Sequence, residues 1–218
     1  MSVDWDQQLE REIDRYRDGE ARLPEERDER QRQLTRMGNA AYGAGLSALM
    51  LGRAADAREW LARAAQRWRE SYADAPPGSW GRPIGAIKAH VLAGDWDAAE
   101  DAARWTLADD AAAAESPIGR YAAALASGVL DQWEEMRISA DSVRFRDDFP
   151  HDVGDALTSI AAENVVEYTT SIESVLESFE TRDAYLEDIA VADTVLVLQA
   201  LAGRRGIAAP LESELLPA

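Results

Sequence analysis

The chain contains no cysteine. Disulfides, thiolate zinc sites, iron–sulfur clusters and cysteine nucleophiles are therefore excluded. Histidine occurs only at His90 and His151, and neither lies in an HExxH or Glu-x-x-His arrangement. Helix-borne zinc and di-iron sites thus lack support. Phosphate loops, dinucleotide fingerprints and nucleophile elbows are missing too. The longest apolar run, Ile189 to Ala202, is broken by Asp193 and is too short to span a bilayer. The first residues, Met1 to Asp6, lack the basic-then-apolar order of a signal peptide. These features set the expectation of a cytoplasmic protein with no metal and no cofactor. Lysine is nearly absent as well: Lys88 stands alone among 23 basic residues, the rest being arginine.

Acid is what the chain has in excess. Forty-one Asp and Glu residues give 218 residues a formal net charge of -18. Such a surface repels nucleic-acid phosphates and anionic lipid, so neither nucleic acid nor membrane is an expected partner. At low ionic strength the self-repulsion destabilises the compact state; at about 1 M salt the Debye length falls to about 3 Å and the penalty fades. Many carboxylates with one lysine resemble the composition of salt-in halophiles, halophilic archaea above all, and imply a halophilic protein with an acidic surface.

Hydrophobic residues make up 46% and alanine is over-used, which favours a folded, all-helical chain. The periodicity predicts a helix from Asp4 to Asp18, closed by Gly19, and a second opened by Pro24 and ending at Gly52. Further helices are expected from Ala54, from Pro83 to Ala93, Trp96 to Ala113, Pro117 to Leu130, Gln132 to Phe145, Asp152 to Ala162, Asn164 to Glu180 and Ala184 to Arg204. Ser116 and Asn164 are candidate caps, and Asp97–Glu100 and Asp131–Glu134 have capping-box spacing. Gly206 is the expected final cap, and the tail from Ile207 is expected to fold back on the last helices.

One tripeptide recurs. Pro83-Ile84-Gly85 returns as Pro117-Ile118-Gly119, 34 residues on, and each copy leads to a second helix with tryptophan at its start, Trp96 or Trp133. Two helices in about 34 residues mark a helical hairpin repeat. Small residues stand where paired helices would cross: Gly45, Ala57 and Ala64, then Ala99, with turn glycines Gly52 and Gly94. Residues 38–145 resemble tetratricopeptide-type repeats. The pattern departs from the family at Arg69, where a proline is usual, and at Asp131, which replaces the turn glycine. The resemblance implies an all-α, right-handed array of antiparallel hairpins, with about nine or ten helices in one domain. Within it, residues 1–36 form N-terminal charged helices, 37–145 three hairpins, and 146–218 the C-terminal helices and docked tail.

In such repeats the first helices line a concave groove. By that register Asn39, Tyr42, Leu46 and Leu49, then Ile84, Lys88 and Val91, then Ile118, Ala122 and Leu125 face it. Arg82, Lys88, His90 and Arg120 form a basic patch on or beside these helices, suited to an acidic peptide or a terminal carboxylate. The expected function is a non-enzymatic protein-binding or adaptor module whose partner is a protein or peptide, with Tyr42, Leu46, Leu49, Ile84, Lys88 and Val91 as contacts.

Two alternatives come from elsewhere in the chain. The ending from Leu198 through Arg204-Arg205-Gly206 to Pro217 resembles the forty-ninth immunity family of bacterial polymorphic toxins. That resemblance implies neutralisation of a toxin by binding. An enzyme on a helical bundle would need His90 or His151 to meet several carboxylates; His151 with Asp147, Asp148, Asp152 and Asp155 is the one cluster that could hold a hard cation.

Overall fold

The computed structural model describes residues 3–185 and 188–217. Among the described residues ten α-helices follow in order: α1 (Trp5–Ala21), α2 (Arg27–Met50), α3 (Ala54–Tyr72), α4 (Gly81–Leu92), α5 (Trp96–Ala108), α6 (Pro117–Val129), α7 (Trp133–Asp141), α8 (His151–Ala161), α9 (Val165–Glu180) and α10 (Asp193–Arg204). A short 3-10 turn, Ala111–Ala113, precedes α6. No strand occurs among the described residues. The protein is an all-α array in which every helix packs on the next. On one side α4 touches α6 and α6 touches α8, and α10 lies against α4, α8 and α9.

Side-chain caps set several helix starts. Asp4, Glu26, Asp95, Ser116 and Asn164 each accept a backbone N–H of the first turn of the helix they precede. The turns after α2 and α4 use Gly52 and Gly94 in the left-handed region, at φ 68° and 69°. The third equivalent turn places Asp131 there, at φ 56°.

Small residues let the hairpins close. The α2–α3 pair is the most extensive contact in the fold. Ala41, Ala44 and Ala48 meet a helix carrying Ala57, Leu61 and Ala64, all essentially inaccessible. A Cβ on Gly45 would come within 2.6 Å of the Leu61 side chain, so the closest approach requires glycine.

The recurring tripeptide has a packing role in both copies. A Cβ on Gly85 would lie 2.7 Å from the Trp68 ring, and one on Gly119 would lie 2.8 Å from Trp80 Nε1. Gly85 makes room for an indole, and Gly119 makes room for the Ala114 methyl group as well as an indole. The two tryptophans that open second helices also share a role. Arg204 lies over Trp96 at 4.6 Å and Arg205 over Trp133 at 4.4 Å, so the end of α10 clamps the starts of α5 and α7. Arg204 also donates to the Val129 carbonyl and to Asp131, and Arg205 pairs with Glu163.

Some boundaries differ from the sequence expectation, each for a local reason. α1 runs through Gly19 to Ala21, because Gly19 packs against Met37 and Gln33 of α2 instead of ending the helix. Pro24 lies outside α2; Glu26 takes the cap by accepting from the Asp28 and Glu29 amides. Asp95 caps α5 in place of the Asp97–Glu100 box. Asp131 caps nothing, since its left-handed backbone closes the α6–α7 turn and its carboxylate takes Arg204. The helix expected from Ala184 begins at Asp193; two of its expected residues, Leu186 and Glu187, lie outside the described residues. Ile189 to Ala192 is non-helical, and the Ala192 amide donates to the Leu215 carbonyl at 3.0 Å. The tail is held there and by Gln199, which exchanges hydrogen bonds with both backbone groups of Ala209.

Candidate binding site

Trp68 builds the floor of the site. Its ring is wedged between α2 and α4, where Cβ atoms on Gly38 and Gly85 would each come within 2.7 Å of it. Its indole N–H donates to Asn39 Oδ1 at 3.0 Å, and Tyr42 packs on the ring at 5.2 Å between centroids. The wedge leaves space between the two helices. Two adjoining cavities occupy it, of about 180 and 390 Å³, and both are lined by Asn39, Tyr42, Lys88 and Asp193.

The smaller cavity lies toward the C-terminal region. Leu46 faces Phe179, Tyr185, Ile189 and Val191 across it, with Arg182 at its side. The larger lies toward the start of α4 and is lined by Trp68, Trp80, Arg82 and Ile84.

Between them stands a buried ion pair. Lys88 Nζ is 2.5 Å from Asp193 Oδ2, with both side chains mostly covered. Tyr42 donates its hydroxyl to the same carboxylate at 2.8 Å, and Lys88 also donates to Thr194 Oγ1 at 3.1 Å. Burial pushes the Asp193 carboxyl up, but the Lys88 charge and hydrogen bond, the Tyr42 hydroxyl and the Thr194 amide outweigh it and hold the group below its ordinary value. Burial, then the Asp193 charge, pushes Tyr42 well above the ordinary phenol value. Tyr121 of α6 is raised for the same two reasons and shares a hydrogen bond with Thr194. One polar residue from each of α2, α4 and α6 therefore converges on the first turn of α10.

Arg82 is the unusual group. It donates to Thr35, Ser71 and Gln31, at 3.2, 2.9 and 2.6 Å, all neutral acceptors. It makes no ion pair among the described residues, and burial lowers its pKa. Arg182 lies over the Phe179 ring and donates to Ser178, again with no ion pair among the described residues. The lining residues of the two cavities thus include three cations, Arg82, Lys88 and Arg182, and one carboxylate, Asp193.

The expected contacts separate as follows. Tyr42, Leu46, Ile84 and Lys88 line the cavities. Val91 is buried, Leu49 is partly buried, and neither lines them. Further along, Ala122 and Leu125 are buried while Ile118 is exposed. The basic patch divides. Arg82 and Lys88 share the larger cavity, but His90, about 200° further around α4, faces away. Arg120 donates to the Ala112 carbonyl beside the 3-10 turn.

Two of the four acids near His151 are spent on arginines. Asp148 pairs with Arg146, Asp155 with Arg144, and His151 Nδ1 lies 2.6 Å from the Arg144 carbonyl oxygen. Among the described residues no three His, Asp or Glu side chains come together as a metal-ion group would. No helix among them is long and apolar enough to cross a membrane.

The C-terminal contribution was missed by the sequence reading. Asp193, Arg182, Phe179 and Val191 join the site from residues far from α2 and α4 in sequence. One signal was present: Asp193 is the single charge interrupting the apolar run from Ile189 to Ala202. A charge in such a run has to find a partner, and the chain's one lysine supplies it. No protein family, curated protein or solved structure matches the chain.

Proposed function

We propose that this chain is a non-enzymatic binding module that takes an acidic segment of a partner protein or peptide between α2 and α4. Arg82 carries the reading. The chain has 41 carboxylates, yet among the described residues the partly buried guanidinium beside this cavity is hydrogen-bonded to neutral acceptors alone. Removing a cation from water without a counter-charge is costly, and a ligand carboxylate supplies that charge. The apolar wall of the adjoining cavity, made by Leu46, Phe179 and Val191, receives an apolar side chain of the same segment. The tetratricopeptide-like reading belongs to this proposal, supported by the α4–α6–α8 contacts and by the small residues at the helix crossings.

Charge supports a second part of the reading, a halophilic protein working in concentrated salt. A net charge of -18 disfavours the compact state until ions screen it. A partly buried arginine is screened less than an exposed one and still recognises an anion there.

Selection of a random twelve-residue phage library on the immobilised protein in 2 M potassium chloride (about 2 Å of Debye screening) tests the proposal. Enrichment of sequences placing Asp or Glu beside a large apolar residue is expected. Recovery of basic sequences, or no enrichment, contradicts it.

A further inference from the structure

Two guanidinium groups of the groove are held alike. Arg82 spends Nε on Thr35 and Ser71 and Nη2 on Gln31. Arg182 spends Nε on the Ser178 carbonyl at 3.1 Å, and its guanidinium carbon lies 3.6 Å from the Phe179 ring centroid. In both residues Nη1 makes no hydrogen bond among the described residues. Arg82 Nη1 is not enclosed, so an oxygen atom in the larger cavity can reach it. Arg182 is exposed, yet a ring and a carbonyl fix it from two sides. A guanidinium positioned in advance loses little freedom when it pairs.

The space between them is electrically neutral. Arg82 lines only the larger cavity and Arg182 only the smaller, while Lys88 and Asp193 line both. Asp193 shows how the groove treats a carboxylate of the chain itself: it takes the lysine and leaves both arginines. Lys88 stands about 9 Å of helix rise along α4 from Arg82. A segment crossing both cavities therefore meets a cation, then a neutral pair beside the apolar wall of Leu46, Phe179 and Val191, then a second cation.

We propose that the segment this groove takes is di-acidic, with one carboxylate on Arg82, the other on Arg182, and a large apolar residue between them. An extended chain advances about 3.3 Å per residue, so the two acids stand at least about three residues apart. A single acid leaves one prepositioned guanidinium unused. Two adjacent acids set the second over the Lys88–Asp193 pair, where no free cation takes it. The proposal rests on the reading of the groove as a site for an acidic segment, and adds to it the second charge and the spacing.

The test repeats the twelve-residue phage selection in 2 M potassium chloride on wild type and on Arg182→Gln side by side. Arg182 is exposed, so that variant keeps the fold, which circular dichroism confirms. Wild type should enrich sequences with two Asp or Glu residues separated as above and a large apolar residue between them. Arg182→Gln should enrich sequences with one acid beside the apolar residue. A wild-type two-acid peptide, made synthetically, should bind Arg182→Gln about threefold or more weakly than wild type. A single acid on wild type, acids side by side, an unchanged two-acid pattern on Arg182→Gln or equal affinity for both proteins overturns the proposal and leaves the acidic-segment reading standing. Absence of any acidic enrichment on wild type overturns both.

Discussion

The ammonium of Lys88 lies 2.5 Å from the Asp193 carboxylate, joining α4 to the first turn of α10. The single lysine of the chain is thus matched internally. A ligand approaching the groove meets a neutralised pair at its centre and guanidinium groups on either side, Arg82 in one cavity and Arg182 in the other. The pair works as a latch between the array and its last helix, and in the proposed binding mode recognition falls to the arginines.

Breaking the latch on one side strands a charge. Asp193→Ala leaves the Lys88 ammonium, only 12% exposed, without its partner. Replacement of one member of a buried pair costs about 3–5 kcal/mol, whereas exchanging both for apolar residues is often near neutral. Guanidinium unfolding of Asp193→Ala and of Lys88→Met/Asp193→Leu checks this. The single variant should be much the less stable; equal stabilities would show that the pair carries no such energy.

The same carboxylate makes stability depend on acid. Its folded pKa is held below the ordinary value by Lys88 and its other partners, despite burial. Stability from Asp193 is therefore complete above its unfolded pKa, about 3.9, and is lost as pH falls through the folded value. The stability gap between wild type and Asp193→Asn should be constant near neutral pH and shrink below about pH 4. Thermal melts across that range test it, and a gap that widens in acid would reverse the sign.

Gly85→Ala should strike both the fold and the site. The new methyl group would lie 2.7 Å from the Trp68 ring, which Gly38 hems in from α2. Overpacking of this kind costs about 1–3 kcal/mol. Near-ultraviolet circular dichroism should report the displaced indole. A variant with wild-type stability and spectrum would show that Trp68 is not wedged.

Much of the architecture was legible because helix starts and stops are local. Ser116 and Asn164 cap as their sequences suggest, and Gly52 and Gly94 close turns. The recurring tripeptide signalled repeated helix pairs, although its packing against Trp68 in one copy and against Ala114 and Trp80 in the other depends on the folded chain. Half of the site was legible for the same reason: helical spacing places Tyr42, Leu46, Ile84 and Lys88 on facing surfaces. The other half depends on where the chain from Phe179 to Thr194 returns. No local rule encodes that return, and the helix expected across part of it is replaced by a non-helical run from Ile189 to Ala192. Nor did the sequence separate His90 from Lys88, because two positions on a helix look adjacent in text and point opposite ways in space.

Salt should stabilise the fold beyond ordinary screening of a neutral protein. Helical circular dichroism and melting temperature should both rise from low to multimolar potassium chloride, since the net charge is -18. An unchanged melting temperature would remove the halophilic part of the reading.

The most direct test of the account is calorimetric titration of an acidic peptide from the library selection into wild type, Arg82→Lys and Arg82→Gln, each confirmed folded by circular dichroism. Loss of the charge in Arg82→Gln should weaken binding by about tenfold or more, with Arg82→Lys in between. Equal affinity for all three proteins would contradict recognition of an acidic segment by Arg82.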